Sequence, residues 1–222
     1  MTLKSRPVEA RELSRYDAES LFLPEASGEA PYVYSLDLTQ LTPEQRAMVE
    51  LWEAHLKGEF QDKDAAASCD TMVANPYVNH VPVMTGGVGR RQLENYYRRY
   101  FIPGQPPDLE IVPISRTVGQ ERIVDEFVYR GTHSIPMEWL LPGVPPTGRR
   151  LEVAVVVIIS FEGGKMKSEH IYWDQASVLV QLGLLDPAGL PVAGAEVARK
   201  ALDPAAVQSN LLMKRTIADE LL

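Results

Sequence analysis

The chain of 222 residues has one cysteine, Cys69. No disulfide can close within it, and nothing in its cysteine usage suggests a fold built for an oxidising compartment. Positive charge is scarce: 22 Lys and Arg stand against 30 Asp and Glu, a net charge of -8. Such a chain repels phosphate backbones unless a local basic stripe overrides the total, so nucleic acid is not an expected partner. Long apolar runs are missing too. The longest, Val153 to Ile159, falls far below the roughly 20 residues of a membrane-spanning helix. The opening MTLKSRPVEARELSRYDAES lacks the apolar stretch of a secretory signal. The expectation is a soluble, cytoplasmic protein without a membrane partner. No close ligand motif such as H-E-x-x-H occurs. His80, His133 and His170, with Glu126 or Glu138, are too scattered to predict a metal, and none is expected.

A hydrophobic content of 45% supports a real core, and the length suits one domain with extensions. Residues 1–41 mix charge, Pro and Gly with short apolar clusters and show no sustained helical or strand period, so they are expected to form an arm. Thr42-Pro43-Glu44-Gln45 has the make-up of a helix start with a capping box. Met48, Trp52, His55, Leu56 and Phe60 then share one face. A second helix is predicted over about 63–74, stopped by Asn75-Pro76. A short strand follows over 77–83 and contains His80. Thr85-Gly86-Gly87 is read as a turn into a third helix on which Leu93, Tyr96, Tyr97, Tyr100 and Phe101, at spacings of three and four, form a largely aromatic face.

Strands are predicted over 109–118, 122–133, 151–161 and 165–173, with turns at Gly119-Gln120 and Glu162-Gly163-Gly164. The third, LEVAVVVIISF, is apolar on both alternating faces and should lie centrally, covered on both sides. A helix is predicted from about Gln175 to Leu184. Helices grouped first and strands later point to an α+β fold in which a curved antiparallel sheet wraps around helices. Beyond Asp186-Pro187, residues 195–202 and 204–222 look like amphipathic helices. They could clasp a second subunit or pack on their own core.

Two stretches could carry chemistry. In SEHIYWD the terminal Asp174 could cap the following helix. Strand alternation also places it on one face with Ser168, His170 and Tyr172. If that face lines a cavity, a partly desolvated carboxylate beside an imidazole suits general acid/base work. The loop from Arg130 to Arg150 carries Trp139, Leu140 and Leu141, apolar residues that need something to cover, either a pocket or a second subunit.

The order Gly131-Thr132-His133, Pro145-Pro146-Thr147-Gly148-Arg149, Gly164-Lys165, Trp173-Asp174 and Gln181-Leu182-Gly183 resembles the SnoaL-like polyketide cyclases over about residues 42–185. Segments 1–41 and 186–222 fall outside it as N-terminal arm and C-terminal helical extension. The resemblance implies a cone-shaped α+β barrel of the nuclear transport factor 2-like superfamily, with three helices, one deep apolar pocket and a dimeric assembly. It implies that Asp174 moves a proton next to a carbonyl in an aldol ring closure without a cofactor, with His133 in the same pocket. Where such cyclases carry E-E-W, this chain has Ser168-Glu169-His170, which adds His170 as a catalytic candidate. Tyr172, His80, Trp139, Glu126 and Tyr97 are the expected binding residues.

The expected ligand is a hydrophobic, oxygenated small molecule and the expected partner a second copy of the chain. Two other readings stay open. One is a non-catalytic binding module of the same fold. The other is a hydrolase that activates water, recruiting Asp125 and Arg130, although alternation sets those two on opposite faces.

Overall fold

The structure is a computed structural model and describes residues 38–213. Helix α1 (Pro43–Phe60) starts on the predicted capping box, in which the Gln45 amide donates to Thr42 Oγ1 and the Thr42 amide donates to Gln45 Oε1. Two backbone donors that a helix start leaves orphaned are thereby satisfied. The same glutamine gives its Nε2 to the carbonyls of Val118 and Gly119, which fixes the start of α1 against a strand turn far along the chain. Trp52, His55 and Leu56 are buried on one face, and Glu59 is buried with them.

Helix α2 (Ala65–Asp70) is capped by Asp64 and is shorter than predicted. Strand β1 (Met72–His80) begins before Pro76 and runs through it. Proline is tolerated here because the pairing of β1 with its later neighbour shifts register between Met72 and Tyr77, so no ladder bond is lost. The predicted turn at residues 85–87 is instead a short strand, β2 (Thr85–Val88), antiparallel to β1.

Helix α3 (Arg90–Tyr96) continues as a π-helical turn over Tyr97–Phe101. The wider turn brings Tyr96 and Phe101, five positions apart, inward together with Tyr97, while Tyr100 stays exposed. Strands β3 (Glu110–Val118), β4 (Arg122–Thr132), β5 (Arg150–Glu162) and β6 (Lys165–Trp173) follow. The strand order is β2-β1-β6-β5-β4-β3.

The α+β architecture with its curved sheet and packed helices is as expected, and the six-stranded sheet is not closed. Every pairing is antiparallel except that of β1 with β6, which is parallel. Most of the domain lies between those two strands in sequence, and so long a connection permits the parallel arrangement. In β5 the side chains of Leu151, Val153, Val155, Val157, Ile159 and Phe161 are buried on the helix side, and those between them are half-buried on the other. Its predicted central place is confirmed by β4 and β6 on either side.

Helix α4 (Gln175–Gln181) follows β6, and α5 (Glu196–Leu202) packs back on β5 and β4. Ala198 is fully buried there and Arg199 pairs with Glu152 at 2.8 Å. Residues 203–213 form turns rather than the start of the second predicted tail helix. The remainder of that helix, 214–222, and residues 1–37 of the predicted arm lie outside the described residues. No helix among the described residues is long and apolar enough to cross a membrane.

The β1–β2 pairing depends on Gly86, whose φ is 137° and whose missing Cβ would sit 2.1 Å from the Val78 carbonyl oxygen. Gly86→Ala should lower unfolding free energy by about 2–4 kcal/mol, combining backbone strain with a clash. Gly163→Ala, at φ 58° with nothing within 4 Å, should cost only about 1 kcal/mol. Urea midpoints of the two variants provide the comparison.

Candidate active site

The inner faces of α1, the π-helical turn, β1, β4, β5 and β6 line an apolar cavity of about 60 Å³. Most of its wall is aliphatic or aromatic. The exceptions are Glu59 from α1, His80 from β1, Asp125 from β4 and Glu169 from β6.

Glu59 and Glu169 meet at one imidazole. His55 Nε2 lies 3.3 Å from Glu59 Oε1 and 3.2 Å from Glu169 Oε1. On the other side of the ring, Nδ1 lies 3.0 Å from the Ser68 carbonyl oxygen and 2.8 Å from Thr71 Oγ1. Thr71 Oγ1 itself donates to that carbonyl at 2.6 Å. Nδ1 thus faces a carbonyl and Nε2 faces carboxylates, so both nitrogens serve as donors and the ring is an imidazolium. Burial alone would pull its pKa down, but the two carboxylates outweigh burial and raise it to about 10. Burial also raises the pKa of Glu59, against the opposing pull of His55.

Tyr97 completes the group, with its hydroxyl 3.3 Å from Glu169 Oε1 and 3.3 Å from His55 Nε2. Burial keeps that phenol neutral. All of the contacts to Glu169 fall on Oε1, and Oε2 accepts no hydrogen bond from the described residues.

His80 is neutral for the opposite reason. Burial drives its pKa down to about 4, Nδ1 lies 3.1 Å from the Tyr96 hydroxyl, and the rings of Phe101, Trp139 and Trp173 stand 5.4–5.8 Å away. Asp125 is fully engaged. Arg116 donates to both of its oxygens at 2.7 and 2.6 Å, and Trp52 Nε1 donates to Oδ2 at 2.7 Å. The second carboxylate on Arg116 is Glu53. Arg130 lies apart, with Glu110 and Glu152, so the sequence expectation of an Asp125–Arg130 set is replaced by Asp125–Arg116.

Of the residues predicted from sequence, His80, Tyr97 and Trp139 line the cavity. Asp174 does not. It is exposed at the start of α4, where its Oδ1 accepts from the amides of Ala176 at 2.9 Å and Ser177 at 3.2 Å. This is the capping role. His170 and Tyr172 lie on the outer side of the sheet, His170 against Tyr77 and Tyr172 40% exposed. Glu126 is also outside, accepting from Ser115 Oγ at 3.1 Å. His133 is buried beside Thr147 at the base of the loop and does not line the cavity. The scattered histidines are not brought together as metal ligands.

Alternation along β6 holds from Ser168 to Trp173, beyond a register shift that skips Lys167, but the face chosen from sequence is the outer one. Met166, Glu169 and Ile171 point inward because they are the apolar set, with a glutamate embedded in it. That glutamate was the missed signal, as was Glu59, four residues after His55 on the buried face of α1. The loop over 133–150 covers this chain's own cavity. Met137, Leu140 and Leu141 are buried, Trp139 Nε1 donates to Gly104, and the Trp139 carbonyl accepts from Thr85.

The SnoaL-like polyketide cyclase family matches residues 45–182. The chain belongs to that family. TsrD from Streptomyces laurentii superposes with a TM-score of 0.51 at 20% identity, covering 66% of this chain and 100% of that one. A SnoaL-like protein from Jannaschia sp. CCS1 gives 0.50 at 21% identity, covering 66% and 98%. These likenesses show that this SnoaL-like chain shares the fold of those two proteins. No curated protein is significantly similar to it. Family membership supports a function of the polyketide cyclase or isomerase type.

Two measurements test the assignments at this site. Asp174→Ala should lose about 1 kcal/mol of stability, as for other helix caps, read from thermal or urea unfolding. The depressed pKa of His80 means that the unfolded chain takes up a proton below its ordinary value of 6.5, which the folded chain refuses until about 4. Stability therefore falls as pH drops through that window. The advantage of wild type over His80→Phe should shrink by roughly 3 kcal/mol between those limits, as measured by urea unfolding across pH.

Proposed function

We propose that the chain is a cofactor-independent acid/base enzyme acting α to a carbonyl of a hydrophobic, oxygenated small molecule, of aldol cyclase, isomerase or lyase type. The observation that carries the reading is a pair of buried carboxyl groups held on one imidazolium at the wall of an apolar cavity. Such a pair places a proton donor and a proton acceptor side by side where water is scarce, and burial raises the pKa of Glu59.

In this scheme Glu169 is the base, because its Oε2 is free of protein donors. It takes the proton from the carbon next to the carbonyl while Glu59, whose hold on a proton burial strengthens, gives a proton to the carbonyl oxygen. The enol that forms then attacks a second carbonyl, closing a ring as Glu169 passes its proton to the new alkoxide oxygen, or regains that proton from Glu169 at another carbon. In either case Glu59 takes back the hydroxyl proton. His55 stays charged throughout and stabilises whichever carboxylate is ionised. The apolar walls, including Trp139 from the covering loop, limit the contact of the enol with solvent. Asp125 has both oxygens occupied by Arg116 and Trp52, which argues against its activating water and so against the hydrolase reading.

The resemblance to the family also leads us to propose a homodimer. The outer side of the sheet, with Val156 and Ile158 half-buried and Tyr172 exposed, is compatible with such pairing.

A panel of hydrophobic ketones incubated with the protein in heavy water, read by mass spectrometry for deuterium at the α-carbon, tests the chemistry. Exchange above the buffer rate is expected, and Glu169→Gln should lower it by roughly 10²–10³-fold. Wild-type exchange in a folded Glu169→Gln variant would overturn the reading. So would a loss on Asp174→Asn that Glu169→Gln does not share.

A further inference from the structure

Carboxylates around the cavity outnumber the cations that face them. Arg116 is shared by Asp125 and Glu53, and His55 by Glu59 and Glu169. No Lys or Arg among the described residues lines the wall. At the wall itself Asp125 is matched by Arg116, since Glu53 lies off the cavity and is part-exposed, but Glu59 and Glu169 share one cation, so with both ionised that group carries one unmatched negative charge.

The second observation is local. The Glu169 side chain is only 5% exposed, lines the cavity, and leaves Oε2 without a hydrogen bond from the described residues. A carboxylate oxygen that faces an apolar cavity without a protein donor gains from a ligand that brings one. The third is the nature of the surrounding wall. Rings of Trp52, Phe60, Tyr97, Phe101, Phe127 and Trp139 border the same space, and the negative faces of aromatic rings attract a cation, most strongly once it is stripped of water.

We propose that this cavity binds a hydrophobic ammonium ion, a protonated amine whose N–H donates to Glu169 Oε2 and whose apolar body lies among the rings. His55 holds Oε1 and the ligand takes Oε2, so the two cations flank one carboxylate. Entry of the ammonium group supplies the charge that the walls lack, and Glu59 can ionise beside it. A neutral ligand of the same shape gains the apolar contacts alone. The inference rests on the cavity of the preceding section as a ligand site, and needs no turnover there.

Its test is a comparison of two probes on the full-length chain, benzyldimethylammonium and its uncharged carbon isostere isobutylbenzene, followed through tryptophan fluorescence at neutral pH. The cation should bind tighter by roughly tenfold or more. Glu169→Gln, checked for folding by circular dichroism, should bring the two affinities close together. Equal or tighter binding of isobutylbenzene to the wild type overturns the proposal, and this comparison decides the matter even if the variant fails to fold. A preference for the cation that survives intact in folded Glu169→Gln overturns the role of Oε2. Failure of the proton-transfer reading would show as absent deuterium exchange and would leave the affinity ratio unchanged.

Discussion

A charged imidazole buried between two glutamates is the constraint on which the rest of this structure depends. His55 is fully buried, and an ion in that position is tolerated only while its partners stay in place. Those partners come from distant parts of the chain: Glu59 one turn further along α1, Glu169 from the last strand, and Ser68 and Thr71 from around the end of α2. Satisfying one ring therefore docks α1 against β6 and closes α2 behind it. The same contacts aim two carboxyl groups at the cavity. Stability and chemistry thus draw on one set of hydrogen bonds, and the ring cannot be removed without leaving two carboxylates face to face.

A second ion network does similar work further along the wall. Arg116 on β3 grips Asp125 on β4, which in turn holds the indole N–H of Trp52 on α1. Here every oxygen of Asp125 is used, so the group fixes the helix to the sheet and leaves nothing over for a ligand. The contrast with Glu169, which has one oxygen committed and one open, separates an anchoring carboxylate from one available for chemistry. His80 illustrates a third outcome of burial. Without an adjacent carboxylate in hydrogen-bond reach, it sheds its proton, whereas His55 keeps one.

Much of the fold was legible because it is written in short-range signals. The capping box at Thr42, the two-sided apolar run of β5 and the turns at residues 119–120 and 162–164 each depend on neighbours a few positions apart, and each was found where predicted. Errors arose where distant partners override local preference. Pro76 signals the end of a helix by local rules, yet it sits in a strand because a register shift leaves its missing N–H harmless. Residues 85–87 read as a turn, but pairing with β1 makes them a strand.

The sequence by itself determined the α+β class, the helix starts, the central strand and the alternation of β6, since those follow from backbone sterics and the spacing of apolar side chains. It also named His80, Tyr97 and Trp139 as binding candidates, alongside Tyr172 and Glu126, without deciding which of them face the cavity. Only the tertiary structure decided which face of β6 looks inward, and with that choice Asp174, His170 and Tyr172 went outside and Glu169 went in. Alternation fixes that neighbouring residues differ in direction but not which direction is buried. That depends on the helices packed against the sheet, whose side chains, His55 and Glu59 above all, are remote in sequence and meet Glu169 only once the chain has folded.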